Sequence, residues 1–244
     1  MPTGAPDEKT AVAGEGIALE QGAELGGVQL WEGGPYWAEC NVGATKPEEY
    51  GYYFTWGDTV GYMIWEEMML DGDGGWYVGS CWKSSITGEI SLYFPSETCP
   101  TYGMDKWSSE LQSLGYIDGT DNLVAAYDAA TAHLGAPWRM PTAQELADLK
   151  SNCDWTWSAR NGVNGVLVAG RGGFVTKSIF LPAVSSVVLG VFSPDTGCDY
   201  WSSTLSEEAG NCAIGIGFRY GVSLGYFVSR DSALLVRPVR GFAQ

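Results

Sequence analysis

Few side chains in this sequence could carry out catalysis. The 244 residues include one histidine, His133, and six cysteines. Without a second histidine, Ser-His-Asp triads and histidine-based metal sites have no support. A Cys-His couple would need a proximity that sequence alone does not establish. We therefore expect no catalytic residue, no metal and no cofactor.

The cysteines form no recognisable metal or redox motif. None makes a C-x-x-C pair, which excludes zinc-ribbon and thioredoxin-type sites. Their number is even but low for this length, so disulfides and buried free thiols both remain open. The six are Cys40, Cys81, Cys99, Cys153, Cys198 and Cys212.

One segment has the beginning of a calcium-binding loop. Residues 71–75 read Asp-Gly-Asp-Gly-Gly, but Trp82 stands at the twelfth position, where a glutamate would complete the ligand set. The segment therefore predicts a turn rather than a calcium site.

The composition excludes several classes of protein. A net charge of −16 repels phosphate groups, so we expect no nucleic-acid partner. No apolar run reaches the roughly 18 residues that span a bilayer, so we expect no direct membrane insertion. The first residues have neither the basic nor the apolar region of a signal peptide. The 34 Gly, 11 Trp and 13 Tyr favour short strands, turns and aromatic packing.

The chain divides into a short arm and one domain. Residues 1–26 are rich in Gly, Ala and Glu, which predicts a flexible N-terminal arm or attachment segment. Residues 27–244 have a length that a single domain with insertions can reach.

Two short helices are predicted in the middle of the domain. Residues 123–134 have apolar side chains at helical spacing, with Asp121 or Asn122 as the cap. The second helix opens with Thr-Ala-Gln-Glu at 142–145, a capping box, and ends near Asn152.

Strand patterns dominate after the second helix, and helices followed by strands predict an α+β domain. The strand candidates are residues 28–31, 52–56, 165–168, 178–181, 200–203, 212–220 and 234–239.

A set of sequence blocks occurs in a fixed order between residues 28 and 240. They are WAECNVGA (37–44), PEEYGYYFTWGD (47–58), WRMPT (138–142), NCDWTW (152–157), NGVNG (161–165), IFLPA (179–183), YWSS (200–203) and VRPV (236–239). In this order they resemble the major paralogous domain family first named from Fibrobacter and common in gut bacterial surface proteins. That family is similar to the formylglycine-generating enzymes. The resemblance implies a C-type lectin fold with two short helices, a small antiparallel sheet and long loop insertions.

The C-terminal tract, residues 199–240, resembles the variable region of proteins that diversity-generating retroelements alter. In such regions adenines are randomised, mostly in Asn codons of type AAY, which cannot become codons for Lys, Glu, Gln, Met or Trp. Residues 209–243 contain none of these five residue types, although all five occur earlier. The resemblance implies a display protein, at a cell surface or on a phage particle, that binds a protein or other surface ligand.

The same tract shows a period of two. Bulky residues at 212, 214, 216, 218 and 220 alternate with residues that are small except for Arg219. We expect the bulky side to pack on the core and the small side to be exposed. The alternative is that another backbone approaches the small residues, because glycine weakens a strand unless it has such a purpose.

Residues 222–229 carry no charge and are predicted to form a surface loop that exposes an apolar and aromatic cluster. The alternative is that this cluster fills the core. The predicted ligand-binding residues are Gly215, Gly217, Arg219, Tyr220, Val222, Leu224, Tyr226, Phe227, Ser229 and Asp231.

Trp201 and Arg237 are predicted to belong to the scaffold that carries this face. Two other functions stay open: an undiversified structural or adhesive surface domain of the same family, and an enzyme of the formylglycine-generating type. Against the enzyme, Cys198 and Cys212 are separated in sequence and do not match its close C-terminal cysteine pair. The Glu-Pro-Asn, Gln-Pro-Asp and Trp-Asn-Asp tripeptides of calcium-dependent sugar sites are absent.

Overall fold

The computed structural model of this chain describes residues 26–70, 73, 75–183, 197–218 and 222–241. Apart from Gly26, the predicted N-terminal arm lies outside these residues. Within them the chain is a mixed α+β structure, with fourteen strands in three sheets and three short α-helices.

The largest sheet has eight strands. In spatial order they are β12 (Val222–Ser229), β11 (Cys212–Phe218), β10 (Cys198–Leu205), β13 (Leu234–Leu235), β3 (Tyr53–Phe54), β4 (Tyr62–Leu70), β5 (Trp76–Ser84) and β6 (Ile90–Ser91). Neighbours are antiparallel except β10 and β13, which run parallel. The sheet is therefore larger than the small one that was predicted, because β4–β6, which the sequence patterns did not reveal, extend it.

Two three-stranded sheets complete the β structure. One consists of β1 (Gly27–Gln29), β2 (Tyr36–Ala38) and β14 (Val239–Arg240), so it joins the first and last strands of the described chain. The other is an antiparallel meander of β7 (Cys153–Arg160), β8 (Val163–Gly170) and β9 (Ser178–Pro182).

The helices are α1 (Ser108–Ser113), α2 (Ala129–Leu134) and α3 (Ala143–Asn152). The predicted capping box of α3 is confirmed: the Thr142 hydroxyl accepts from Glu145 N, and Thr142 N donates to the Glu145 carboxylate. None of the helices in the described residues is long and apolar enough to cross a membrane.

The predicted start of the first helix is wrong. Helix α2 begins only at Ala129, and its cap is Asp128 rather than Asp121 or Asn122. The Asp128 carboxylate accepts from Thr131 N at 2.8 Å and also from Met140 N at 2.9 Å. The bond from Thr131 N is the N-cap interaction that begins the helix, and the apolar periodicity from residue 123 did not indicate it.

The centre of the large sheet is buried on both faces. Successive residues of one strand point to opposite sides, and both members of three central pairs are almost fully buried. The pairs are Tyr53 and Phe54, Tyr200 and Trp201, and Leu234 and Leu235. One face packs on α3 and the β7–β9 sheet, and the other on α1, α2 and the Trp56 indole.

The two predicted scaffold residues are confirmed as interior. The Trp201 side chain has no exposed surface, and its Nε1 donates to Phe54 O at 2.9 Å. Arg237 is 1% exposed and donates to three backbone carbonyls, those of Ala38, Glu39 and Phe180. It thereby ties the segment between β13 and β14 to distant parts of the chain, as expected of a buried guanidinium with five donors.

Strands β4 and β5 extend as a two-stranded ribbon beyond their contacts with β3 and β6. Nine residues of each strand pair with the other, but β3 contributes only the Tyr53–Tyr62 pair. The turn predicted at 71–75 falls between them, although Asp71, Gly72 and Gly74 lie outside the described residues. Trp65 and Met68 on the ribbon are 39% and 56% exposed.

Candidate ligand-binding site

Residues 222–229, predicted as a surface loop, form the edge strand β12. This correction follows from the pairing with β11, in which Cys212 lies opposite Ser229 and Ile214 opposite Phe227. Pairing with β11 gives the backbone N–H and C=O groups of this uncharged segment hydrogen-bond partners. The β11–β12 pair forms one end of the large sheet.

Gly215 and Gly217, which were predicted to be exposed, are buried. A Cβ atom added to Gly215 would lie 3.1 Å from Tyr200 O, 3.4 Å from Val228 Cγ2 and 3.6 Å from Leu234 Cδ2. The alternative interpretation of the glycines is therefore supported at Gly215: a neighbouring strand approaches it closely, and a Cβ atom would fit only if its neighbours shifted slightly.

The partly exposed residues of the β11–β12 pair lie on the face opposite Gly215. Cys212 lies opposite Ser229, and two residues along the strand Ile214 lies opposite Phe227. None of these four residues is buried. The Phe227 ring is 43% exposed, as predicted. Cys212 and Ile214 were assigned to the core because the alternating pattern separates two faces but does not say which one the rest of the protein covers.

Farther along β11 the bulky residues do pack inward, as predicted. Ile216 is 2% exposed, and the Phe218 ring stacks on Trp155 and Trp157, with centroids 6.3 and 6.0 Å away. A register shift separates this half of the pair from the open half, because Gly215 pairs with Tyr226 and Ile216 with Leu224. Such a β-bulge bends a strand and re-aims its side chains.

The remaining predicted site residues are described only in part. Arg219 and Tyr220 lie outside the described residues. Val222, Leu224 and Tyr226 belong to β12, whose backbone is described, but their side chains are not.

Ser229 and Asp231 line a cavity of about 310 Å³ at the end of β12. The Ser229 hydroxyl donates to Asp231 Oδ1 at 2.5 Å. The segment 101–105, which no sequence pattern singled out, also lines the cavity, and Arg230 and Asn211 complete the lining. Two of the predicted residues therefore share a concave site with residues more than a hundred positions earlier.

Arg230 is the main residue of this site that sequence reasoning missed. It is 2% exposed, and its Nη2 donates to Met104 O at 2.6 Å and to Gly210 O at 2.8 Å. Its Nε and Nη1 are buried without an acceptor in the described part of the chain. Burial lowers the pKa of its guanidinium. The only sequence signal is an arginine between two predicted site residues.

The thiols near the site are poor nucleophiles. Burial raises the pKa of Cys212 and of Cys99, although the Arg230 charge acts in the opposite direction on both. Both are free cysteines, as are Cys40, Cys81 and Cys153. Because the thiolate is the reactive form, a raised pKa favours the protonated, less nucleophilic thiol at both positions.

The surroundings of His133 indicate a structural role rather than a catalytic one. Its Nε2 lies 2.9 Å from Thr59 O, and its ring packs against those of Tyr52 and Phe54, with centroids 5.5 and 5.4 Å away. Burial lowers its pKa. The described residues contain no group of three or more His, Cys, Asp or Glu side chains that could hold a metal ion.

Comparisons of this chain with protein-family models, with curated proteins and with solved structures found no match.

Proposed function

We propose that this chain is a ligand-binding display protein with a C-type lectin fold. Residues 199–240 would form its binding face, diversified by a retroelement, and the protein would act at a cell surface or on a phage particle against a protein or other surface ligand. The observation that carries the proposal is the partly exposed face of Phe227 and Ser229 on β12, the end strand of the large sheet within the described residues. An exposed aromatic side chain offers a large contact area at low entropic cost, as in binding loops.

The division between scaffold and face supports this proposal. Trp201 and Arg237 lie in the same tract as Phe227 but are fully enclosed and hydrogen-bonded to other strands. A protein can tolerate many sequences on one face only if the residues that hold the fold are elsewhere, because interior changes of one or two methylenes already cost about 1–3 kcal/mol.

The missing residue types support diversification independently. Residues 209–243 lack Lys, Glu, Gln, Met and Trp, whereas Trp201 and Glu208 lie just before them. The absence fits mutagenesis of AAY codons and needs no assumption about which side chains are exposed.

A non-catalytic role agrees with the chemistry of the site. Of the two cysteines weighed against the formylglycine-generating pair, Cys198 and Cys212, burial raises the pKa of Cys212 and so disfavours its thiolate. Recognition, in contrast, needs only a shaped surface on which a few residues supply most of the binding energy.

A second candidate is an undiversified structural or adhesive surface domain. The observation that favours it is the β4–β5 ribbon, on which Trp65 and Met68 are exposed and which β13 and β3 separate from strands β10–β12. If adhesion resided there, replacing Phe227 would leave the binding of the natural partner unchanged.

Sequencing the 3′ end of the gene in many natural copies tests the proposal. We expect a template repeat and a reverse-transcriptase gene nearby. Amino-acid differences should concentrate at Phe227, Ser229 and their neighbours in β12, while Trp201, Gly215 and Arg237 stay constant. Differences spread evenly over buried and exposed positions, or no differences and no reverse transcriptase, would favour the second candidate.

A further inference from the structure

A second cavity, separate from the one beside β12, lies where four distant parts of the chain meet. Its lining comes from the connection between β1 and β2 (31–35), the loop 120–122, the first turns of α3 (142–148) and Thr204 of β10. Its volume is about 920 Å³, near the upper end of the range for ligand sites. At about 30 Å³ per water molecule this corresponds to roughly thirty waters, which is room for a ligand of one or two six-membered rings.

Hydrogen bonds between these elements fix part of the cavity wall. Thr204 Oγ1 donates to Asn122 Oδ1 at 2.6 Å and accepts from Ala143 N at 2.8 Å, so the loop, β10 and α3 are joined at one point. Arg139 Nη2 lies 2.6 Å from Glu145 Oε1 and balances the charge of that carboxylate. A wall that is already fixed needs little ordering when a ligand binds, which lowers the entropic cost of binding.

Other polar side chains of the lining are accessible to solvent. Thr120 and Gln144 are exposed, and Asp148 is partly exposed. Gln144 Nε2 donates to Asp148 Oδ1 at 2.9 Å, which orients the carboxylate and leaves further lone pairs on its oxygens. The cavity therefore presents hydrogen-bonding groups that a water-soluble ligand can reach.

Trp31 gives the cavity an aromatic wall. It is partly exposed, and a Cβ atom added to Gly34 would lie 2.6 Å from its Nε1. The indole therefore lies against the backbone of Gly34, where a side chain would displace it. An indole is a flat apolar surface, so the cavity combines one apolar wall with polar groups from the loop and α3.

The charges of the lining exclude several classes of ligand. The described residues that line the cavity include no Lys, Arg or His, and their acids are Glu145 and Asp148. An anion would meet no cation in this lining and would be repelled by a chain of net charge −16. An apolar ligand would cover hydroxyl, amide and carboxylate groups without giving them partners, which is costly. A neutral ligand with many hydroxyls and one apolar face matches both the polar groups and Trp31.

We propose that this cavity binds a hexopyranose ring. The C–H face of the ring lies on the Trp31 indole, and its hydroxyls donate to Asp148 and exchange hydrogen bonds with Gln144 and Thr120. All of these contacts come from protein side chains, so no metal ion takes part. None of these residues lies within 209–243, so the site does not depend on diversification of that tract.

Isothermal titration calorimetry on the full chain tests this, with D-glucose, D-galactose and D-mannose as separate probes. We expect saturable binding of at least one of them, with a dissociation constant of roughly 1 mM. Sorbitol has the hydroxyls of a hexose but no ring, so it should bind at least about tenfold more weakly. Choline chloride, a cation of the kind that aromatic rings attract, should also bind at least about tenfold more weakly.

Two pairs of variants test the proposed contacts. Asp148→Asn should weaken binding of the sugar by about tenfold or more, because a neutral amide replaces a charged acceptor. Glu66→Gln removes the same charge at an exposed position of β4 and should leave the affinity unchanged. Trp31→Ala should abolish saturable binding, whereas Trp65→Ala, at a tryptophan of β4 that is 39% exposed, should leave it unchanged.

Trp31 also packs against the core, so the circular dichroism of Trp31→Ala is measured first. If that variant unfolds, Asp148→Asn and the comparison with sorbitol decide the question. Absence of saturable binding of all three sugars up to about 100 mM would overturn the proposal. So would sorbitol binding as tightly as the sugar, choline binding as tightly as the sugar, which would make the cavity a cation site, or unchanged affinity in Asp148→Asn.

Discussion

Trp201 connects two strands that are far apart in sequence. It lies in β10, its side chain is completely buried, and its indole Nε1 donates to a carbonyl of β3. Trp201→Ala would leave a large cavity and an unpaired carbonyl, so we expect the free energy of unfolding to fall by about 3–5 kcal/mol. Equilibrium unfolding in denaturant, followed by far-ultraviolet circular dichroism, measures this.

Trp157 provides the matched control for that variant. It is 42% exposed and stacks on Phe218 at the rim of the core. Because an aromatic pair of this kind contributes about 0.5–1.5 kcal/mol, Trp157→Ala should cost much less than Trp201→Ala. Equal losses in the two variants would contradict the interior role of Trp201.

The single histidine makes one titration separately measurable. Burial lowers the pKa of His133 below its ordinary value of 6.5. As the pH falls below about 6.5, the unfolded chain therefore takes up this proton at a higher pH than the folded chain does, and the free energy of unfolding decreases. The contribution of this one group is at most about 1.4 kcal/mol per pH unit.

His133→Gln isolates that contribution, because glutamine does not titrate and its amide can still donate to Thr59 O. Unfolding free energies at pH 7 and pH 5 should differ less in the variant than in the parent chain. The titration of carboxylates affects the parent chain and the variant alike, so it cancels when their pH dependences are compared. A parent chain with the same pH dependence as the variant would show that His133 is protonated as readily when folded as when unfolded.

One face of strand β11 is partly exposed, and the other is covered by the rest of the protein. Gly215 lies on the covered face. A methyl group on Gly215 would press on Tyr200 O and Val228 Cγ2, and the carbonyl belongs to a central strand that cannot move freely. We expect Gly215→Ala to lower the free energy of unfolding by about 1–3 kcal/mol, as overpacking does elsewhere. Thermal and denaturant unfolding both measure the change.

Gly119→Ala is the control for that strand position. A Cβ at Gly119 would meet no atom within 4 Å, so the substitution should be neutral or slightly stabilising. If Gly215→Ala changed the free energy of unfolding as little as Gly119→Ala, the covered face would have room for side chains at this position. That result would contradict the close approach inferred for Gly215.

The whole domain should fold without a metal ion. The described residues hold no cluster of metal-binding side chains, and the interior is joined instead by aromatic packing and by the buried Arg237. Adding EDTA should therefore leave the melting temperature unchanged. A drop of many degrees, reversed by adding back a divalent cation, would show that a metal site contributes to stability.

Local chemistry determined several elements of this protein from the sequence alone. The capping box at Thr142 and Glu145 specifies the start of α3, and Gly135 ends α2 with φ = 72°, as expected of a glycine at that position. The segments 200–203 and 234–239 were predicted as strands, and β10 and the two-residue β13 lie at the centre of the sheet. These signals are readable because they act over a few residues.

Only the tertiary structure decided which face of β11 and β12 is open and what lies beside it. A period-two pattern gives two faces, but α3, the β7–β9 sheet and α1–α2 cover the sheet from both sides, and where that cover ends depends on the whole arrangement. The cavity likewise joins residues 101–105 to Arg230. Such contacts join residues distant in sequence, so no local pattern encodes them, and they exist only once the chain has packed.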